Sequence, residues 1–132
     1  MPLTVYEPTF DVIRRVLATG GARGSPLGSE ALRERYQRTW VEQPEWYYKL
    51  LSARSDALDV WVTRYFHALE GDDPVFDWVR GAALRPILSE LEGAELERFS
   101  TLCKAGLREA YPRGADGTTL LGYPRLFIVA RR

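Results

Sequence analysis

The stretch that decides the fold is Leu58-Asp59-Val60-Trp61-Val62-Thr63-Arg64-Tyr65-Phe66. β-Branched and aromatic residues dominate it, which favours a β-strand. Because large apolar residues occupy both odd and even positions, the pattern is typical of a strand buried on both faces inside a parallel sheet. Thr118–Gly122 and Leu126–Ala130 predict two further strands, and Tyr123-Pro124 between them predicts the turn of a hairpin. We therefore expect about three strands.

Helical patterns surround these strands, and most of them have recognisable ends. The predicted helices cover about residues 9–18, 29–38, 45–52, 74–81, 84–91 and 93–110. Ser29 and Asp73 are predicted N-caps, and Pro44 and Pro74 suit the first position of a helix. The glycine-rich segment 20–28 predicts a flexible loop. This order predicts an α/β fold of a single domain over residues 1–132, in which five or six helices pack on a mixed sheet.

The charge and cysteine content exclude several classes of function. Lys+Arg 18 balance Asp+Glu 18, whereas a general nucleic-acid-binding surface needs an excess of basic residues. Cys103 is the only cysteine and lies on the apolar side of a predicted helix, where a small core residue is expected rather than a nucleophile. The sequence predicts neither a signal peptide nor a membrane-spanning segment, so we expect a cytoplasmic protein.

Short motifs spread over the chain carry a resemblance to a known family. They are Tyr47-Tyr48-Lys49-Leu50-Leu51, Asp59-Val60-Trp61, Tyr65-Phe66-His67, Trp78-Val79-Arg80-Gly81, Leu84-Arg85-Pro86, Tyr111-Pro112, Asp116-Gly117 and Arg125–Arg132. Together with Glu7-Pro8-Thr9, this set resembles the C-terminal half of the bacterial trans-aconitate methyltransferases, which are class I enzymes dependent on S-adenosylmethionine. The resemblance implies a partial Rossmann-like methyltransferase fold. It also implies methyl transfer from S-adenosylmethionine to a carboxylate of a small polycarboxylic acid.

The chain departs from that family at several points. Ala82 stands where the family usually has threonine, and Tyr6 and Phe10 stand where it usually has aspartate and histidine. No strand is followed by a Gly-x-Gly loop and then by an acidic residue that could hold a ribose. We therefore expect no cofactor site, no catalytic residue and no metal site in this chain alone. The implied enzyme would be active only together with a cofactor-binding half.

The resemblance and the sheet geometry together select the residues that would contact the acid. Ligands of open α/β sheets lie beyond the carboxyl ends of the strands, where Tyr65 and His67 are expected. Trp78 and Arg85 should fold over the same end, with Arg80 and Tyr47 behind them. Arginine forks and aromatic hydroxyls suit carboxylates. Structural alternatives remain open: backbone contacts for His67, a core position for Trp78, carbonyl capping for Arg85, and a buried hydroxyl partner for Tyr65.

Two functions stay open at this point. One is the substrate-side half of a methyltransferase that binds a trans-aconitate-like acid; the other is a non-catalytic module for carboxylate binding or oligomerisation. In the full family the strand at residues 58–66 has a parallel neighbour, which would leave an open apolar edge here. We expect a homodimer, an exchange of elements or the cofactor-binding half to cover that edge. No nucleic acid or membrane partner is expected.

Overall fold

Six helices and two long strands make up the fold. The computed structural model describes all residues from 1 to 132. In chain order the elements are α1 (Pro8–Thr19), α2 (Glu30–Gln37), α3 (Pro44–Ser52), β1 (Ala57–Leu69), α4 (Pro74–Arg80), α5 (Arg85–Glu90), α6 (Gly93–Ala110) and β2 (Thr119–Arg131). Single turns of 3₁₀ helix lie at Thr4–Tyr6 and Ala22–Gly24. The α/β class and the helix count agree with the sequence prediction.

The sheet has two strands, and the predicted hairpin is wrong. β2 continues through Tyr123 and Pro124 and pairs antiparallel with β1 from Ala57↔Arg131 to Leu69↔Thr119. The proline is tolerated because the peptide groups at position 124 point away from β1. The carbonyl of Pro124 accepts from the Leu3 N–H (3.0 Å) on the outer edge, so the missing N–H removes no bond of the β1–β2 ladder.

The prediction that β1 is a strand is confirmed, but its place in the buried interior of a parallel sheet is not confirmed. The one strand paired with β1 is the antiparallel β2. Large side chains remain exposed on both of its faces, with Trp61 at 45%, Tyr65 at 44% and Phe66 at 58% of their full exposure. The apolar run therefore forms a strand, but it does not bury both faces within the chain.

The main core lies between the helices. α1 and α6 pack together, with Ile13, Leu17, Phe99 and Cys103 almost fully buried between them. Burial raises the pKa of the Cys103 thiol to about 12, so it stays protonated. The prediction that this cysteine is a core residue is confirmed.

A smaller cluster covers the other face of the sheet. Leu3, Val5, Val41 and Leu126 are buried there, and Tyr47, Val60 and Ile128 pack against them. Val60, Leu126 and Ile128 are even-numbered, so strand alternation places them opposite the odd-numbered residues of the same strands. The sheet thus has one face toward this cluster and the other toward α4.

The helix ends follow the sequence signals in most cases. Ser29 caps α2, since its Oγ accepts from the Leu32 N–H at 3.1 Å. Asp73 precedes α4 but does not cap it; its carboxylate instead lies 2.7 Å from the Arg108 guanidinium. The segment 20–28 contains a 3₁₀ turn and is held by Leu27, which is fully buried. Its flexibility stays a prediction. None of the helices combines the length and apolar character needed to cross a bilayer.

Candidate substrate site

An open depression of about 380 Å³ lies where the sheet meets α4. We call it the aromatic depression, and its lining consists of Tyr65, His67, Trp78, Tyr123 and Arg125. Tyr65 and His67 share a face of β1, and Tyr123 and Arg125 share the corresponding face of β2, because side chains alternate along strands. Tyr65 and Tyr123 stand directly opposite each other in the register. The sheet therefore fixes four of the five side chains.

Ring contacts hold the aromatic depression together. The rings of His67 and Trp78 lie 4.8 Å apart between centroids at an interplanar angle of 31°. His67 also meets the edge of Tyr123, with centroids 6.5 Å apart. The Arg125 guanidinium carbon lies 5.7 Å from the centroid of the Tyr123 ring. Trp78 keeps 46% of its exposure, so about half of its surface remains accessible to a ligand.

The structure brings together half of the residues proposed from the sequence. Tyr65, His67 and Trp78 line the aromatic depression, whereas Arg80 and Arg85 are exposed and do not line it. Tyr47 packs in the small cluster on the other face of the sheet, where its hydroxyl accepts from the Glu42 N–H at 3.2 Å. Direct contact of these three with a ligand in the aromatic depression is therefore not supported by the geometry.

Tyr123 and Arg125 were missed by the sequence reasoning. The hairpin assignment turned Tyr123 and Pro124 into a loop and separated them from the strand. Alternation over residues 121–127 could have found them, since Leu121, Tyr123, Arg125 and Phe127 share one side of a continuous strand. The proline concealed that signal.

A second cavity of about 450 Å³ adjoins the aromatic depression, and Trp78 and Tyr123 line both. We call it the interhelical cavity. Phe10, Tyr36 and Trp40 form much of its apolar wall. The Tyr36 hydroxyl donates to the Ala83 carbonyl at 2.5 Å, and burial raises its pKa to about 12. Tyr36 therefore remains neutral and holds α2 against the turn before α5.

A charged pair spans the sheet beside this cavity. Nη1 of Arg64 lies 2.6 Å from Oε1 of Glu7, which pairs a half-exposed guanidinium with a mostly buried carboxylate. Gly122 makes room for the guanidinium, because a Cβ there would lie 2.5 Å from the Arg64 Nη2.

Nearby, Thr9 hydrogen-bonds the Tyr111 hydroxyl (Oγ1 at 2.8 Å). Burial raises the pKa of Tyr111.

A polar cleft on the far side of α4 is less suited to an anion. Lys104, Arg108 and Arg113 line it, but Asp72 and Asp73 lie among them. Asp73 pairs with Arg108 at 2.7 Å, and Asp72 lies 3.9 Å from Arg113. The carboxylates thus neutralise much of the positive charge. No group of three or more His, Cys, Asp or Glu side chains that could hold a metal ion is present.

Comparisons with known proteins agree with the resemblance seen in the sequence. No family model matches the chain. A trans-aconitate 2-methyltransferase from Pseudomonas aeruginosa is 43% identical over 114 residues, covering 86% of this chain and 42% of that protein. One from Methylobacterium nodulans is 39% identical over 132 residues, covering 100% of this chain and 49% of that protein. A third, from Streptomyces avermitilis, is 46% identical over 92 residues, or 70% of this chain and 34% of that protein.

The chain thus spans about half the length, or less, of the curated relatives that it matches. The matched regions include nearly all the motifs on which the resemblance rests, since one alignment covers the whole chain. Over the residues that it contains, this chain belongs to the family of trans-aconitate 2-methyltransferases.

Proposed function

We propose that this chain supplies the acid-binding side of an enzyme that transfers a methyl group to a carboxylate of a small polycarboxylic acid, trans-aconitate or a close analogue. One observation carries the proposal. Tyr65, His67 and Trp78, selected from the sequence as acid contacts, line one depression with Tyr123 and Arg125, and no acidic side chain lines it. The names of the relatives support the reaction and the substrate.

Methyl transfer to a carboxylate requires little acid–base catalysis from the residues of the aromatic depression. A carboxylate is already ionised at neutral pH, so the acceptor needs no general base. S-adenosylmethionine, when bound, supplies a methyl group activated by the adjacent sulfonium. The residues of the aromatic depression then orient the acid. The hydroxyls of Tyr65 and Tyr123 can donate to carboxylate oxygens, while Trp78 and the His67 ring form the walls.

The residues of this chain do not themselves fit the methyl donor. An adenosyl group is expected on a glycine-rich turn between a strand and a helix. The strand-to-helix connection here is Glu70–Asp73, which has one glycine and leads into the seven-residue α4. Asp72 and Asp73 in this loop face Arg113 and Arg108. We propose that polypeptide other than these residues binds the donor.

We propose two edges of the sheet for that polypeptide: the edge of β1 that faces away from β2, where the resemblance implies a parallel neighbour, and the outer edge of β2. Met1–Leu3 already pair there: the Leu126 N–H donates to the Met1 carbonyl at 2.7 Å, and the Leu3 N–H donates to Pro124. Peptide groups two residues apart point the same way, so those of Ile128 and Ala130 also face outward. An extended segment with apolar residues can continue this pairing. A homodimer is the other way to cover the same edge.

Methyl transfer by a chimera tests the proposal. These 132 residues replace the segment that they match over their whole length in the Methylobacterium nodulans relative, and transfer of a labelled methyl group from S-adenosylmethionine to trans-aconitate is measured. We expect transfer, and we expect Trp78→Ala with His67→Ala to reduce kcat/KM at least about tenfold by removing two walls of the site. A folded chimera that binds the donor and the acid but transfers no methyl group would contradict the proposal and favour a non-catalytic binding module.

A further inference from the structure

We propose that Arg125 binds the carboxylate that is not methylated and thereby selects acids with at least two carboxylates. This inference rests on the proposed function, because it assigns the orientation of the acid in the same site. Five residues line the aromatic depression, and Arg125 is the only arginine, lysine or carboxylate residue among them. Its guanidinium presents a planar fork of N–H donors that matches a carboxylate in a bidentate arrangement.

The guanidinium of Arg125 has no competing partner within the chain. The ion pairs of the structure use Arg14, Arg64, Arg108 and Arg113. Arg125 belongs to none of them and rests on the ring of Tyr123, 5.7 Å from its centroid. The contact with the Tyr123 ring uses none of the N–H groups of the Arg125 guanidinium. A carboxylate entering the aromatic depression therefore meets a cation whose hydrogen bonds are unused.

The backbone around Arg125 is held on both sides, which fixes the point on the sheet from which its exposed side chain extends. Arg125 is paired with Thr63 of β1 and forms a bridge with Pro2 on the outer edge. On either side of it, Pro124 and Leu126 hydrogen-bond Leu3 and Met1. A side chain on a strand held at both edges loses less freedom on binding than one on a loop. Arg80 and Arg85 do not lie on a strand: Arg80 ends α4 and Arg85 begins α5.

The chemistry decides which carboxylate Arg125 holds. A bidentate guanidinium draws negative charge from the carboxylate oxygens, and this weakens them as nucleophiles toward a methyl group. The acceptor carboxylate therefore lies away from Arg125, next to neutral groups. A second carboxylate on the same molecule fills the fork and orients the first. An acid with a single carboxylate can satisfy only one of these two positions, so its methylation is inefficient.

Calorimetric titration of the chain with trans-aconitate tests the assignment without any methyl transfer. We expect Arg125→Gln to weaken binding about 10- to 100-fold, because charge-assisted hydrogen bonds are lost. Arg125→Lys keeps the charge without the fork and should fall between Arg125→Gln and the wild type. Arg98→Gln, at an exposed position of α6, is the matched control and should bind as the wild type does. Circular dichroism checks that each variant is folded.

Each outcome decides between the two proposals. Equal affinity of the wild type and the folded Arg125→Gln variant would overturn the inference, as would a wild-type chain that binds no trans-aconitate. In the chimera, Arg125→Gln should raise KM for trans-aconitate more than it lowers kcat. Arg125→Gln should also lower the ratio of kcat/KM for trans-aconitate to kcat/KM for the monocarboxylate crotonate. Loss of binding in Arg125→Gln together with a chimera that never transfers methyl would contradict the proposed function and the assignment of the unmethylated carboxylate, and would leave only the role of Arg125 in binding the acid.

Discussion

At the scale of single residues, Gly122 is the position where the absence of a side chain leaves space for the Arg64 guanidinium. A Cβ at this site would lie 2.5 Å from the Arg64 Nη2 and displace the guanidinium from Glu7. We expect Gly122→Ala to lower the free energy of unfolding by about 1 kcal/mol, since Arg64 is half exposed and water screens part of the attraction. Urea denaturation measures the change.

Two further variants separate this cause from a general effect of alanine. In an Arg64→Met background the guanidinium is gone, so Gly122→Ala should cost much less than in the wild type. Gly81→Ala is the control, because a Cβ there meets nothing within 4 Å. An equal cost of Gly122→Ala in both backgrounds would show that the ion pair is not the reason for the glycine.

Residues of the candidate site could be predicted only where their chemistry stood out in the sequence. Tyr65, His67 and Trp78 belong to quoted motifs and carry aromatic or titratable groups, and the structure gathers them. Arg80 and Arg85 have the right chemistry in the same motifs, yet both are exposed outside the aromatic depression. Composition says which side chains can bind a carboxylate, whereas the direction of each side chain depends on tertiary packing.

At the scale of elements, the cap of α2 connects two segments that are far apart in sequence. The Glu90 carboxylate at the end of α5 accepts from the Ser29 N–H and from its Oγ, both at 2.8 Å. These hydrogen bonds lower the pKa of Glu90 below its ordinary value of 4.5. The stabilisation is therefore present above pH 4.5 and is lost as the pH falls through the native pKa. We expect Glu90→Gln to destabilise the protein at pH 7.

Denaturation at several pH values checks this prediction. The difference in unfolding midpoint between Glu90→Gln and the wild type should shrink toward zero as the pH falls below 4.5. Glu97→Gln, at an exposed position of α6, should follow the wild type at every pH. A difference for Glu90→Gln that stays constant from pH 7 down to pH 3 would rule out the carboxylate as the source.

Helices were predicted better than strands because their signals are local. Ser29 at the start of α2 and Pro44 at the start of α3 identify their helices from a few neighbouring residues. The course of β2 through Pro124 depends instead on which side of the strand the missing N–H faces. That side is set by the pairing with β1 and with Leu3. Alternation over residues 121–127 tells which side chains share a face if the strand is continuous, but not that the strand continues through Pro124.

At the scale of the whole molecule, large apolar side chains are exposed on both faces of the sheet. Trp61 stacks on Phe127 across the strands at 5.3 Å and keeps 45% of its exposure. Phe66 and Leu120 are also more than half exposed on the opposite face. The sequence indicated burial of this strand, and the six helices and two strands do not supply enough cover for it. A further layer or strand is the simplest way to bury such a surface.

Hydrogen exchange tests the proposal that further polypeptide pairs with the outer edge of β2. The N–H groups of Phe127 and Val129 face β1, whereas those of Ile128 and Ala130 face outward, because Leu126 already bonds to Met1 on that side. In a dilute solution of the chain we expect slow exchange at 127 and 129 and fast exchange at 128 and 130. In the chimera with the Methylobacterium nodulans relative, all four should exchange slowly. Continued fast exchange at 128 and 130 in a folded chimera would place the partner elsewhere, and the inward pair serves as the internal control for folding.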